Sequence, residues 1–176
     1  MEAGVKIKRS TQSLSREEAR LREKITKRVG QIVLNFSSIE NALGLAYAMA
    51  HDEGPALGGK DFYTQNKFAQ KIQLVDALAG AKLSGERLND WRRLKSRLHQ
   101  VTRYRNHMAH LVLVNRVQNR VLTPTLQEPW FKPERKDVPR YALRDIEEIA
   151  VKVDAARQDL WQFVEMITRR LADRAG

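Results

Sequence analysis

Apolar residues recur every three or four positions over long stretches of this chain, which is typical of amphipathic helices. The first stretch begins at Ser15, which forms a capping-box pattern with Glu18, and continues to about residue 50. Further helical patterns cover about 62–80, 86–110 and 143–173. Long helices with short connections predict an all-α protein, an antiparallel four-helix bundle.

The hydrophobic pattern is interrupted in two places. Residues 51–60 contain several glycines and a proline and predict a loop, with Asp61 as the cap of the second helix. After residue 110, the β-prone segments 111–114 and 121–123 predict a small hairpin. Four of the five prolines follow between Pro124 and Pro139 and predict another loop.

These boundaries predict the organisation of the chain. Residues 1–13 are polar and basic without periodicity, and we expect a flexible basic arm there. Residues 14–176 then form a single helical domain. Residues 111–141 are a hairpin and Pro-rich loop inserted before the last helix.

The net charge of the chain indicates which classes of partner it can bind. Lys and Arg number 32 against 21 Asp and Glu, a net charge of +11 that favours polyanions, chiefly nucleic acid and less often an anionic membrane surface. The absence of cysteine excludes disulfides and thiolate metal sites and suits a reducing compartment. No membrane span or apolar signal core is found, so we expect a cytoplasmic protein without a membrane anchor.

The most basic part of the chain, residues 82–110, ends in a chemically rich segment. Arg105 follows Val101 by four residues and therefore lies on the apolar stripe of its helix. A half-buried guanidinium keeps its charge and needs an anion, either a carboxylate or a ligand phosphate. Glu40, in the apolar half of the first helix, is a candidate partner; alternatively it lies at the edge of the apolar face.

Two histidines close this helix. His110 could simply cap the helix C-terminus, where the helix dipole favours a charged imidazole, but Arg105 five residues before it makes this interpretation less favoured. His107 lies on a different helical face from Arg105, where it contacts RNA or only solvent. The two histidines could share a metal, but residues 91–127 hold no Asp or Glu to complete such a site. We therefore expect no metal and no cofactor.

Several further side chains are candidates for contact with RNA. Arg103 and Arg97 can widen a basic cleft, or they can belong to a solvated helix face. Tyr104 can contact a phosphate, although core or interface packing is the commoner role. Lys132 and Arg135 lie beside Trp130 and Phe131 in the Pro-rich segment. Such aromatic side chains can stack on unpaired bases, or they anchor a long loop on the bundle.

The segment Arg105-Asn106-His107-Met108-Ala109-His110 resembles the motif of the HEPN superfamily of helical-bundle proteins. That motif is an arginine, a polar residue directly after it, and a histidine four to six residues beyond the arginine. Its position at the end of a central helix, before a connecting region and a last long helix, is also similar. Residues 35–40 and 68–74 resemble the first and second bundle helices of many members.

The resemblance implies a specific activity. Active members are metal-independent RNA endonucleases in which the motifs of two subunits or domains face each other across a basic cleft. By this resemblance Arg105 would hold the scissile phosphate, His110 would assist proton transfer, and Asn106 would orient one of them. RNA supplies its own nucleophile, the 2′-hydroxyl, so positioning, charge stabilisation and proton transfer suffice.

The resemblance also implies partners. We expect RNA as the substrate and a homodimer, in a toxin or antiphage-defence setting with a cognate antitoxin or a defence-system partner. The alternative is a non-catalytic RNA-binding or protein-interaction module, and a third reading is a structural homodimer. RNA cleavage distinguishes the first reading from the other two.

Overall fold

The structure is a computed structural model that describes residues 15–118, 121–127 and 140–175. Within these residues, five helices and three strands follow one another along the chain. They are α1 (Arg16–Ala50), α2 (Pro55–Thr64), α3 (Phe68–Lys82), α4 (Gly85–His110), β1 (Val112–Gln118), β2 (Val121–Gln127), β3 (Arg140–Tyr141) and α5 (Leu143–Ala175). The protein is thus mostly helical with a small antiparallel sheet, in agreement with the predicted class.

Helix α1 begins where the sequence predicts. The Ser15 hydroxyl accepts a hydrogen bond from the Glu18 backbone N–H at 3.2 Å, and the Glu18 carboxylate accepts one from the Ser15 N–H at 2.7 Å. This reciprocal pair satisfies two backbone donors that the helix start would otherwise leave free. The predicted flexible arm, residues 1–13, lies outside the described residues.

The predicted loop over residues 51–60 is confirmed only for 51–54 and is wrong beyond them, because α2 begins at Pro55. Proline suits the first helical position, since its missing N–H has no partner there. Gly54 enters the helix with a φ of 94°, a conformation that favours glycine. A Cβ at Gly58 would lie 2.6 Å from the His51 Cβ, so this glycine permits close packing on α1.

The second predicted helix, 62–80, is two helices in the structure. Asp61 lies inside α2 instead of capping a helix, and α3 begins only at Phe68. Phe62 of α2 is fully buried against α1, where a Cβ at Gly44 would lie 3.0 Å from its ring. Gly44 and Gly58 are therefore contact points between α1 and α2, whereas an added Cβ at Gly59 would meet no atom within 4 Å. Composition does not distinguish a glycine at a helix contact from a glycine in a loop.

Contacts between side chains define the helix directions. Along α1, Phe36 packs on Phe68 of α3, and Glu40 pairs with Lys71 further along α3, so α1 and α3 run in the same direction. Helix α2 provides the return between them. Asn35 and Ser38 of α1 bond Asp154 and Trp161 of α5, so α5 also runs parallel to α1.

Helix α4 runs opposite to α1, α3 and α5. Trp91 near its start donates to Asp76 of α3 at 2.8 Å and packs on Phe163 of α5, while Arg105 near its end lies over Phe36 of α1. The predicted antiparallel arrangement therefore describes α4 against its neighbours but not α1 against α3. The core lies between these helices and includes the fully buried Ile32, Ile39, Leu43, Trp91, Leu98, Val153 and Leu160.

The predicted hairpin is confirmed and is longer than the sequence indicates. Strands β1 and β2 pair from Val112↔Gln127 to Gln118↔Val121. The predicted loop from Pro124 to Pro139 is wrong at its start, because Pro124 lies within β2. Strand β3 pairs only with Leu126 and Gln127, so at Pro124 one side of β2 is unpaired in the described residues and the missing N–H is tolerated. Residues 128–139 lie outside the described ranges.

Buried Leu126 and several side-chain contacts attach the sheet to the helices, one of them to α1. The Arg22 guanidinium on α1 donates to the Asn115 side-chain oxygen at 2.8 and 3.2 Å.

Across the part of the chain that the structure describes, none of the helices combines the length and apolar character needed to cross a membrane.

Asp76 joins α3 to α4. Burial acts to raise the pKa of its carboxyl group, but hydrogen bonds from Lys95 and Trp91 outweigh burial, and the pKa is lowered from 3.8. A carboxylate whose pKa is lower in the folded state stabilises the fold above its unfolded pKa. This contribution disappears as the pH falls through the folded pKa.

We expect Asp76→Asn to lower the free energy of unfolding at pH 7 by about 1 kcal/mol, since charge-assisted hydrogen bonds contribute roughly 1.5–3 kcal/mol and partial exposure weakens this one. Urea unfolding at pH 7 and in acid measures the effect, and the difference from the parent should shrink in acid. Asp90→Asn, at an exposed pair with Arg93, is the control and should change stability little. A loss that persists unchanged in acid would contradict the assignment.

Candidate functional site

The predicted motif occupies the last two turns of α4. His110 is the final residue of the helix, and His107 and His110 are the basic side chains of its last turn. Val101 and Met108 are buried and hold this end of α4 on the core. Helix α4 carries seven basic and two acidic side chains, so the motif lies at the end of a strongly cationic helix.

Arg105 is half-buried, as its place on the apolar stripe predicts. Its guanidinium carbon lies 5.5 Å from the centre of the Phe36 ring, and its Nη1 donates to the Asn106 side-chain oxygen at 3.3 Å. The Phe36 ring also packs on Phe68, with 4.7 Å between the two ring centroids. The aromatic ring desolvates one face of the cation and leaves its remaining N–H groups to bind an anion.

Glu40 is not the partner of Arg105, and this prediction is wrong. The Glu40 carboxylate accepts a hydrogen bond from Lys71 Nζ on α3. Lys71 is only 7% exposed, and its ammonium lies 5.1 and 5.2 Å from the ring centres of Phe62 and Tyr63. A buried ammonium needs an anion more than a half-buried guanidinium does, so Lys71 binds the carboxylate.

Lys71 was not among the predicted site residues, although its spacing from apolar neighbours indicates that it is buried. Lys71 follows Phe68 by three residues and precedes Val75 by four, so it lies on the apolar stripe of its helix. A position on the apolar stripe predicted that Arg105 is half-buried, and the same position predicts burial of Lys71. Both cations use aromatic neighbours, but only Lys71 has a carboxylate partner among the described residues.

His110 is exposed and points away from Arg105. Five residues at 3.6 per turn separate the two side chains by roughly 140° around the helix. Within the described ranges, no hydrogen bond or ion pair joins them. One chain therefore brings Arg105 and Asn106 together, whereas His110 shares its face of α4 with exposed Arg103.

His107 connects the motif helix to the sheet. Its Nδ1 lies 2.9 Å from the Tyr141 hydroxyl on β3. Burial, followed by the charges of Tyr104 and Asp145, raises the pKa of Tyr141. Its hydroxyl therefore remains protonated at neutral pH. Sequence analysis did not single out Tyr141, because it follows residues predicted as loop and pairs with α4 only in the folded chain.

The remaining predicted contacts are placed as follows. Tyr104 is half-buried, accepts a hydrogen bond from Gln100 at 3.1 Å, and has Lys152 of α5 5.8 Å from its ring centre. Arg97 forms an ion pair with Asp159 of α5, so its charge is partly neutralised. Arg103 is exposed. Lys132 and Arg135 lie outside the residues that the structure describes.

Metal ligands are not gathered at this site. In the described residues, no group of three or more His, Cys, Asp or Glu side chains could hold a metal ion. Comparisons with protein-family models, with curated protein sequences and with solved structures find no match for this chain.

The Glu40–Lys71 contact predicts a large effect on stability. Glu40→Gln should lower the free energy of unfolding by about 2–3 kcal/mol, because the buried Lys71 ammonium would keep its charge without a carboxylate partner, while the partial exposure of Glu40 limits the loss. Replacing both residues, with Lys71→Met added, should recover most of the loss. Urea unfolding of the three variants measures these changes.

The control for this prediction is Glu148→Gln, which disrupts an exposed pair with Arg144 on α5. An exposed pair of this kind contributes roughly 0.3–0.5 kcal/mol, so the control should be nearly as stable as the parent. Equal losses for Glu40→Gln and Glu148→Gln would show that Lys71 does not depend on Glu40.

Proposed function

We propose that this protein is a metal-independent RNA endonuclease of the HEPN type, with Arg105, Asn106 and His110 as its catalytic residues. The observation that carries the proposal is the environment of Arg105. Its guanidinium is half-buried, lies over Phe36 and is held by Asn106, and no carboxylate among the described residues pairs with it. A cation fixed in this way favours binding of an anionic phosphate group.

The proposed mechanism uses the nucleophile that RNA carries. Arg105 binds the scissile phosphate and stabilises the charge that develops on it. His110 takes the proton from the 2′-hydroxyl or gives one to the leaving 5′-oxygen, and an imidazole side chain can do either near neutrality. Asn106 orients the guanidinium through the hydrogen bond described above. The products are a 2′,3′-cyclic phosphate and a 5′-hydroxyl.

The separation of Arg105 from His110 supports a paired enzyme. Because the two side chains lie on different faces of one α4, a complete set on one phosphate requires a second copy of the chain. We therefore propose a homodimer with facing motifs. Exposed Arg103 would extend the RNA-binding surface, and Arg97, Tyr104, His107, Lys132 and Arg135 remain proposed contacts.

We also propose that α1, α3, α4 and α5 form a four-helix bundle, to which α2 and the sheet are added. The protein would act in the cytoplasm as a toxin or antiphage effector, beside an antitoxin or a defence-system partner, and without a cofactor.

One observation favours a second candidate function, a non-catalytic RNA-binding module. The exposed side of α4 carries Arg92, His99 and Arg103 along its length, and His110 extends this row without contacting Arg105. A row of cations can follow a phosphate backbone without cleaving it. Such binding would weaken steeply as the salt concentration rises.

Cleavage of total RNA and tRNA by the purified protein in excess EDTA tests the proposal. The parent should cut RNA, and His110→Ala should lower the rate by about 10²–10⁴-fold, the usual contribution of general acid–base catalysis. Arg105→Ala should lose about 10²–10³-fold, as expected when one charge-stabilising group is removed. An RNA with a 2′-O-methyl group at the cut site should resist cleavage.

A variant on the same helix serves as the matched control. Arg93→Ala removes an exposed arginine that lies outside both the motif and the row of Arg92, His99 and Arg103, and it should retain most of the activity. A requirement for a divalent metal, or a 5′-phosphate product, would exclude the proposed mechanism. If the parent binds RNA without cleaving it, and Arg92→Ala and Arg103→Ala weaken that binding, the binding-module function replaces the endonuclease.

A further inference from the structure

The last turns of α4 carry a second group of side chains that can bind phosphate. Arg103, His107 and His110 follow one another at spacings of four and three residues, which places them within roughly 60° of one another around the helix. All three are exposed, and Arg105 lies on a different face. These three residues, here called the α4 outer set, can therefore contact the same stretch of an RNA backbone.

Tyr141 holds one member of the α4 outer set. The Tyr141 hydroxyl lies 2.9 Å from His107 Nδ1, and the centres of the two rings are 6.3 Å apart. On one side of the contact, Tyr141 pairs with Leu126 of β2. On the other side, the Asp145 carboxylate accepts the Ala142 N–H at 2.8 Å where α5 begins. The hydroxyl thus approaches His107 from a backbone that is held on both sides.

The direction of this hydrogen bond determines which nitrogen of His107 carries the ring proton. Tyr141 is half-buried, and among the described side chains its hydroxyl has no other hydrogen-bond partner. Its pKa is raised, chiefly by burial, so the hydroxyl keeps its proton near neutral pH and can donate it. A half-buried hydroxyl proton without an acceptor costs free energy, which favours donation to Nδ1. The proton of a neutral imidazole then lies on Nε2.

We propose that Tyr141 is a positioning residue that holds His107 as a neutral donor, and that His107 Nε2–H donates to a phosphate oxygen of RNA beside His110. A hydrogen bond to one ring nitrogen determines which group the other nitrogen can bind. Arg103, one turn before His107, supplies positive charge to the same stretch of backbone. Nε2 is the nitrogen that Tyr141 leaves available to a ligand.

The inference rests on RNA as the ligand of the proposed function, but it concerns binding and not cleavage. Binding is measured with an RNA that carries 2′-O-methyl groups, which the proposed mechanism cannot cut. Binding that depends on His107 and Tyr141, in a protein that never cleaves unmodified RNA, would contradict the endonuclease alone. Cleavage by a protein whose RNA binding is indifferent to both residues would contradict this inference alone. A parent that does not bind RNA would contradict both.

Fluorescence anisotropy of this RNA with the full chain provides the test, at pH 8, where imidazole is ordinarily neutral. His107→Ala should weaken binding about tenfold, as expected for the loss of one hydrogen bond to a charged group. It should leave the salt dependence unchanged, because a neutral donor releases no counterion. Arg103→Ala should instead reduce the slope of log K against log salt by about 0.7, as expected for one phosphate contact on a single strand. An equal reduction in His107→Ala would overturn the inference.

Tyr141→Phe keeps the aromatic ring and removes only the hydroxyl. It should weaken RNA binding about threefold in the parent and have no further effect in His107→Ala, because the hydroxyl acts only through the imidazole. Tyr63→Phe is the matched control and should bind RNA as the parent does, since the Tyr63 hydroxyl donates to Asn41 between α2 and α1. Equal losses from Tyr141→Phe in the two backgrounds would show that it acts on the fold and not on His107.

The imidazole nitrogens give a second measurement, which needs neither RNA nor a folded variant. Nitrogen-15 NMR of the parent at pH 8 should show the His107 proton on Nε2 and not on Nδ1. Where Tyr141→Phe folds, it should shift the His107 signals toward those of His99, an exposed histidine on the same helix. A parent with the His107 proton on Nδ1 would overturn the inference.

Discussion

The burial of α1 is the constraint on which the rest of this structure depends. Helix α1 packs against all four other helices, and Ile32, Ile39 and Leu43 are completely buried along it. A helix with so many apolar neighbours fixes where each partner begins and in which direction it runs. Among these contacts, Phe36 of α1 provides the surface on which Arg105 at the end of α4 lies.

Two cations on apolar stripes are stabilised in different ways. The ammonium of Lys71 is compact and strongly hydrated, so its burial requires the Glu40 carboxylate as well as two aromatic rings. The guanidinium of Arg105 is planar and more weakly hydrated, and it rests on Phe36 without a carboxylate among the described residues. This difference leaves Arg105 able to bind an anion from outside the chain, whereas Lys71 serves the fold.

The inserted sheet also contacts the helix that carries the motif. Arg22 holds Asn115 on β1, and Tyr141 on β3 bonds His107 in the last turn of α4. These contacts attach the insertion both to α1 and to the helix that carries Arg105. The end of α4 is therefore supported from two sides, by the aromatic cluster around Phe36 and by the Tyr141 hydroxyl.

The sequence by itself determined the helices with long apolar periodicity, the capping box at Ser15, the hairpin and the half-buried position of Arg105. These features depend on local spacing, which one chain displays directly. Only the tertiary structure decided that Glu40 pairs with Lys71 and that Tyr141 meets His107. Each of these contacts joins separate elements of the chain, and their partners are chosen by competition for burial, which local spacing does not record.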